Sequence, residues 1–382
     1  MRRNHRFVTL ALIAGLAPVG LEAQGALSTQ GFGYPTGDIS TRVRSTGGGL
    51  AQFDPDSPLN PAALATSSDP RMFLQYEPEF RRLSRGDAVS NTLTARFSLA
   101  SASVPFASRG SIGLSVATFL DRSSVTTFST QREVAGQTVT VDETTRVLGA
   151  INDVRLGFGY APSRKVQFGA GGHVYVGQNR VFFTQTFPDT LKFSTVGQVS
   201  TLSYTGFAAS AGILARPSRN FGVGISARKG FGIEAKSGDS TVSEADIPDR
   251  IGAGISYEGI PGSSISLNVS RDLWSSMNGL GSANATAVDT WEGGLGVEAV
   301  GPRVLQRQTI LRLGGRYRTL PYLAAGAEIT EVAFGGGIGA QFFRNRASFD
   351  MSFERASRTP DGSAVDASER AYIFSFGLRV RP

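Results

Sequence analysis

The chain has 382 residues, no cysteine and a formal charge of +7. The absence of cysteine excludes disulfides, thiolate metal sites and a cysteine nucleophile, and no apolar stretch reaches the roughly 20 residues that a transmembrane helix needs. The basic excess is mild. Once Arg2, Arg3, Arg6 and Glu22 leave with an expected leader, 38 − 3 = 35 basic residues face 31 − 1 = 30 acidic ones, a net +5. These are spread along the chain rather than clustered with aromatics, which argues against nucleic acid as a partner.

Arg2, Arg3 and Arg6 followed by the apolar run Phe7 to Leu16 read as a secretory leader, with cleavage expected after Ala23 and residues 1–23 removed. Such a leader is an address rather than an anchor. Residues 24–70 carry no sustained period and are rich in turn formers, as in GFGYPTGD and FDPDSPLNPAAL, with one short helix expected from Pro61 to Thr66. From Arg71 to the C-terminus a period of two takes over. In the last segment Tyr372, Phe374, Phe376, Leu378 and Val380 share one strand face, while Ser375, Gly377, Arg379 and Arg381 share the other.

Alternation alone also suits a soluble sandwich, so the connections have to decide. Strands are expected near 71–80, 92–104, 111–133, 139–160, 165–186, 191–214, 220–235, 249–259, 263–274, 289–299, 307–319, 329–343, 346–357 and 371–381, fourteen in all. Short turns (PFASRG, APSRK, RPSRN, GIPGS, FRNRA) alternate with longer connections (GDAV, KSGDSTVSEADIP, SSMNGLGSANATAV, ASRTPDGSAVDASE). An even strand count with short turns at one end and long loops at the other predicts an all-β transmembrane antiparallel barrel over residues 71–382. It is expected in the outer membrane of a diderm bacterium, with both termini periplasmic. Outer-membrane lipid, lipopolysaccharide and, during biogenesis, the barrel assembly machinery are its expected partners.

The lumen face is rich in glycine, as at Gly252 and Gly254 or Gly335, Gly337 and Gly339. Glycine inside a strand marks close approach of another backbone, which predicts that residues 24–70 form a hatch inside the barrel; the alternative is a disordered periplasmic tail. Charges of both signs also fall on this face: Arg96, Arg155, Arg228, Asp272, Glu292, Glu298, Arg312, Arg316, Glu331, Asp350 and Glu354. They are expected to form a salt-bridged wall rather than a selectivity ring. His173 is the one histidine left after the leader, on the lumen face, with no serine or aspartate partner identifiable from the sequence. A hydrogen-bonded structural role is expected, with no enzyme activity, metal or cofactor.

STGGGLAQFDPDSPLNPAALA resembles the N-terminal hatch of the FadL family of outer-membrane long-chain fatty acid transporters, with Asn60, Pro61 and Ala62 as its Asn-Pro-Ala motif. IPDRIGAGISYEGIPGSSISLNVSRDLWSSM is similar to the family's Pro-led strand, turn and strand ending in Trp-Ser, here Trp274 and Ser275. WEGGLGVEAV and TILRLGGRYRTLPY, the latter ending at Pro321, follow in the family's order, whereas residues 110–245 match in pattern alone. The chain departs from common barrels in ending Val380-Arg381-Pro382 rather than on an aromatic, which shifts assembly recognition to Phe374 and Phe376.

The resemblance implies passive transport of a hydrophobic small molecule or lipid, gated where Asn60 and Pro61 move against strand residues near Gly113, with Trp274 placed at the substrate. Phe182, Phe183, Phe187 and Phe193 crowd the outer end of a hairpin in VFFTQTFPDTLKF. They are read either as a capture site for such a substrate or as an aromatic girdle at the lipid interface. A structural or secretion-associated barrel binding a protein partner, and a general diffusion porin, are the alternatives. An apolar pocket distinguishes transport from a polar, filled lumen, and a porin has no plug.

Overall fold

The computed structural model describes Leu27, Thr29 and residues 32–382 except 38, 107–108, 135, 190–191, 281–285, 305, 344–345 and 363–365. The expected leader and its cleavage site lie outside these residues. The remainder is a closed antiparallel barrel of fourteen strands. They are β1 (Arg71–Arg85), β2 (Ala88–Phe106), β3 (Gly110–Asp121, resumed as Ser124–Val134), β4 (Gln137–Tyr160) and β5 (Val166–Thr186). Next come β6 (Val196–Ala215), β7 (Phe221–Ser237), β8 (Ser240–Asp246, resumed as Arg250–Tyr257), β9 (Ser263–Asp272) and β10 (Thr290–Val304). β11 (Arg307–Ala324), β12 (Ala327–Phe342), β13 (Ala347–Pro360) and β14 (Ala367–Val380) complete the wall. β14 pairs back onto β1 from Ala367↔Arg85 to Val380↔Met72, which leaves no free edge in the closed ring.

Each strand is inside out relative to a soluble protein. Phe97, Ile251, Leu313 and Phe334 point outward and stay exposed, while Arg312, Glu331 and Glu354 point inward and are buried. An apolar outer band around a polar interior is what a hydrocarbon solvent selects, and it defines a transmembrane barrel.

The strand positions expected from the period of two match the structure, but two connections differ. KSGDSTVSEADIP, expected as a loop, is largely strand: Ser240–Asp246 pairs with the outer part of β7 around the turn at Gly238 and Asp239. GDAV likewise closes in the tight turn at Gly86 and Asp87, because β1 and β2 run on to Arg85 and from Ala88. These segments are polar on both faces, so no alternation announces them.

The length that the sequence assigned to loops is thus carried by raised hairpins. β4 has 24 residues and β5 has 21, against about 9–11 needed to span a bilayer. Along Ser124–Val134 neither face is consistently buried, so this part of the sheet stands clear of lipid. The strand run is interrupted at Arg122 and Ser123, where the two-residue strand Tyr34–Pro35 pairs with Asp121 and Leu120.

The N-terminal segment lies against the inner face of the wall. Its helix α1 (Thr41–Ser45) is capped by Ser40, whose Oγ accepts from Val43 N and donates to Asp54 at 2.6 Å. The chain then turns through Gly47 and Gly48, both at positive φ; a Cβ on Gly47 would strike the Gly315 backbone at 2.5 Å. The 3-10 helix Pro61–Thr66 follows, capped by Asn60. Three of the five glycines singled out on the lumen face meet this segment: Gly252 and Gly254 face Gln52, and Gly337 faces Ser45. Gly335 and Gly339 make room for the wall's own Glu354, Asp350 and Arg312.

The C-terminus leaves β14 at the short-turn end. The first described N-terminal residues, Leu27, Phe32 and Tyr34, are buried in the loop-end half of the lumen.

A Cβ on Gly169 would run into the backbone of Pro61 and Ala62, whereas one on Gly172, on the outward face of the same strand, meets nothing within 4 Å. Gly169→Ala is expected to unseat the 60–66 segment and increase its cleavage by added protease severalfold in micelles. Gly172→Ala is expected to leave the digestion pattern unchanged. Equal protection of both variants would contradict the close approach.

Candidate functional site: a filled lumen in three layers

At the loop end the barrel interior is apolar. Phe119 stacks on Trp274 with ring centroids 5.2 Å apart, Tyr175 meets Phe119 edge-on at 4.9 Å, and Phe32 meets Trp274 at 6.3 Å. Leu120, Ile151, Ile233, Leu320 and Tyr322 extend the same buried cluster.

Trp274 opens a short 3-10 helix (Trp274–Met277) whose neighbour Ser275 donates from both N (3.2 Å) and Oγ (2.7 Å) to Asp289. Arg271 donates to the same carboxylate at 3.2 Å. Desolvation, which would raise the Asp289 pKa, is outweighed by these donors, so its carboxyl is held below the usual range and the pin on the Trp274 turn is charged at neutral pH.

Beneath the cluster lies a belt of buried ions. Six arginines (Arg44, Arg81, Arg96, Arg316, Arg318 and Arg358) and six carboxylates (Glu77, Glu79, Asp121, Glu331, Glu354 and Glu369) form one connected set of ion pairs. The charges balance, which is the condition for keeping so many of them out of water. Arg358 is 0 % exposed and reaches Glu79 (2.9 Å), Glu331 (2.6 Å) and Glu369 (2.5 Å).

Tyr34 ties this belt to the N-terminal segment. Its hydroxyl donates to Glu331 at 3.0 Å and accepts from Arg318 and Arg358. The guanidiniums of Arg81, Arg96, Arg318 and Arg358 lie 4.5–5.6 Å from its ring centre. Tyr34 also belongs to the apolar cluster, so the two layers meet on one side chain.

The third layer, at the short-turn end, is the segment from Ser40 to Thr66. Arg42 grips Glu298 with two bonds of 2.8 Å, and Arg44 pairs with Glu77 at 2.8 Å. Asn60 donates to Gln52 at 3.2 Å, and Gln52 in turn donates to Asn268 of β9 at 3.2 Å. Two open cavities of about 650 and 690 Å³ flank this layer and share Thr66, Ser67 and Ser68 in their linings.

The residues singled out from the sequence divide among these layers. Trp274 sits in the apolar cluster. Asn60 and Pro61 sit in the third layer, where they face Gly212 and Gly169, whereas Gly113 meets Leu64 of the same segment, whose Cδ2 lies 2.9 Å from where a Cβ on Gly113 would stand. The four phenylalanines are not brought to Trp274. Phe187 and Phe193 pair at 5.3 Å, whereas Phe182 and Phe183, adjacent on β5, face opposite sides of the raised hairpin, with no ring contact to that pair among the described residues. The charges predicted for the lumen face are in place, with Arg312 bridging Glu298 and Asp350.

His173 has the partners that the sequence did not reveal. Its Nδ1 lies 2.8 and 2.9 Å from the two Asp153 oxygens, and its Nε2 lies 2.8 Å from Ser210 Oγ. Sequence reasoning also missed Tyr34 and Phe119. No local signal marks a buried aromatic as the centre of an ion network.

A closed fourteen-stranded wall, apolar outside and ion-filled within, defines a transmembrane barrel of the outer-membrane type. No protein-family model and no curated protein matches the sequence. The fold does match solved structures. A Pseudomonas aeruginosa FadL homologue superposes with a TM-score of 0.62 at 13% identity, over 91% of this chain and 99% of its own. The Pseudomonas putida toluene transporter TodX matches with a TM-score of 0.58 at 14% identity, over 89% and 97%. The CymD monoaromatic hydrocarbon channel matches with 0.57 at 14%, over 90% and 97%. The chain therefore has the FadL-like barrel fold over nearly its whole length.

Tyr34→Phe removes the hydroxyl from Glu331, Arg318 and Arg358 but keeps the ring under the guanidiniums. The expected cost is about 1–3 kcal/mol, read as a lowered thermal unfolding midpoint in micelles. Tyr34→Leu is expected to lower it further, since the cation–π contacts are lost as well.

Proposed function

We propose that this chain carries apolar small molecules, of the size of an alkyl or aryl hydrocarbon or a long-chain fatty acid, passively across the outer membrane. The observation that carries this reading is the buried apolar layer around Phe119 and Trp274, the largest apolar cluster among the described residues, lying above the ion belt inside the barrel. The layer borders a small cavity lined by Phe119 and Trp274, and apolar surroundings with few polar groups are the common form of small-molecule sites.

The names of the structural neighbours, a toluene transporter and a monoaromatic hydrocarbon channel, agree with it. The fully buried ion belt speaks against a water-filled diffusion porin.

In this reading residues 24–70 are the hatch. Phe187 and Phe193, on the raised hairpin, collect solute at the cell exterior. The solute passes to the Trp274 layer, and the Asn60–Pro61 turn shifts from the wall near Gly113 to release it toward the two cavities at the periplasmic end. Phe182 and Phe183 contribute to capture or to the interface girdle, lipopolysaccharide surrounds the raised sheet, and Phe374 and Phe376 serve recognition by the assembly machinery.

The chain has two tryptophans, and Trp291 faces outward. In a Trp291→Phe protein, Trp274 alone reports on the lumen. A brominated fatty acid or bromobenzene is expected to quench it saturably, while planar bilayers holding the same protein show negligible steady conductance. Replacing both Phe187 and Phe193 with Ala is expected to slow uptake severalfold and leave the quenching amplitude intact. Steady conductance without saturable quenching would sink the transport reading in favour of a porin.

A further inference from the structure

The three strands β4, β5 and β6 place Asp153, His173 and Ser210 on the inner face in one diagonal line. Asp153 pairs with Tyr175, two residues from His173 on β5, and Ser210 pairs with Gly171, two residues to the other side. At that offset, side chains on one face are within reach of each other. The carboxylate accepts the imidazole Nδ1–H at 2.8 Å, which leaves Nε2 as the acceptor of the Ser210 hydroxyl at 2.8 Å. All three groups are buried. Gly171 keeps the space open, since a Cβ there would lie 2.8 Å from Ser210 Oγ.

A hydrogen-bonded Ser–His–Asp line is also a common way to satisfy buried polar groups, but two further features point to chemistry. The line borders a cavity of about 20 Å³, enough for about one water. The same cavity is lined by Arg228 and Arg250, both paired with Asp272, and the Arg250 Nε–H has no hydrogen-bond partner among the described residues. An N–H left over on a guanidinium that lines the same cavity as a serine–histidine pair is a donor that an oxyanion can use.

We propose that Ser210, His173 and Asp153 form a serine nucleophile site inside the barrel, able to cleave a carboxylic ester that bears an apolar group. Ser210 Oγ attacks the carbonyl carbon as His173 Nε2 takes the hydroxyl proton, and the carbonyl π pair moves onto oxygen, facing the guanidiniums. Collapse of the adduct breaks the bond to the alkoxide, which leaves with the proton from His173. Water then gives a proton to His173 and attacks the acyl-serine; the acid departs and Oγ recovers its proton. Water is the only co-reactant.

The cavity is roofed by Pro58 and Leu59 of the N-terminal segment, so the site opens only as that segment moves. The apolar group of the ester fits the neighbouring aromatic layer, which begins at Tyr175, its ring centre 6.3 Å from that of His173. This choice of substrate rests on the transport reading, whereas the nucleophile does not. Labelling of Ser210 tests the triad, and quenching of Trp274 tests the layer.

The full chain in micelles is treated with diisopropyl fluorophosphate and mapped by mass spectrometry. One adduct is expected on Ser210, absent in Ser210→Ala, formed about 10²–10⁴-fold more slowly in His173→Gln, and formed severalfold faster in Leu59→Ala. Hydrolysis of p-nitrophenyl butyrate should follow the same order. The proposal is overturned if Ser210 stays unlabelled in both the unaltered and the Leu59→Ala barrels while both keep heat-modifiable gel mobility. It is equally overturned if His173→Gln labels at the unaltered rate.

Discussion

Everything inside this barrel depends on keeping charge neutral where water is scarce. A lone buried guanidinium or carboxylate is expensive, and breaking one buried pair costs about 3–5 kcal/mol because its partner is stranded. The belt meets this constraint by sharing. Glu331 serves Arg316, Arg318 and Arg358, while Glu79 serves Arg81, Arg96 and Arg358. Because Arg44 and Tyr34 of the N-terminal segment join the same set, the segment cannot be displaced as an inert cork. Its position and the charge balance of the wall are one equilibrium.

The wall was legible in the sequence because the relevant physics is local. A strand between lipid and a polar lumen must alternate, and Tyr372 to Val380 or Leu93 to Leu99 do so without reference to any other part of the chain. The same argument shows where legibility stops. Ser240–Asp246 and Ser124–Val134 stand above the lipid, so neither face is selected for apolarity and the period vanishes, although the hydrogen-bond ladder continues. The five-residue helix Thr41–Ser45 is too short to show a helical period.

The interior was less legible because its meaning is non-local. The lumen charges were readable as a class, since inward positions follow from the alternation. Their pairing was not: Arg358 meets Glu79 across 279 positions. His173 is the sharpest case. Its partners lie 20 and 37 residues away on neighbouring strands, and one residue of register slip would turn either to the opposite face. The glycines had the opposite character. A missing side chain in a strand interior already says that something must approach, and at Gly252, Gly254 and Gly337 the N-terminal segment does so.

The seam between β1 and β14 joins the ends of the barrel sequence in one constant register, with the pairing lapsing between Glu79 and Tyr76 beside Pro78, which has no N–H to donate. Here the N-terminal segment touches both sides. Thr41 Oγ1 lies 2.8 Å from Ser375 Oγ on β14, Arg379 pairs with Asp56, and Gln75 of β1 donates to the Ile39 carbonyl at 3.2 Å. Closing a ring between residues some 300 positions apart is the slow, entropically costly event of folding such a chain. The N-terminal segment, attached to β1 by the covalent chain and bonded to β14, therefore spans the seam from within, and the contacts that hold it in place also hold the two ends of the ring together.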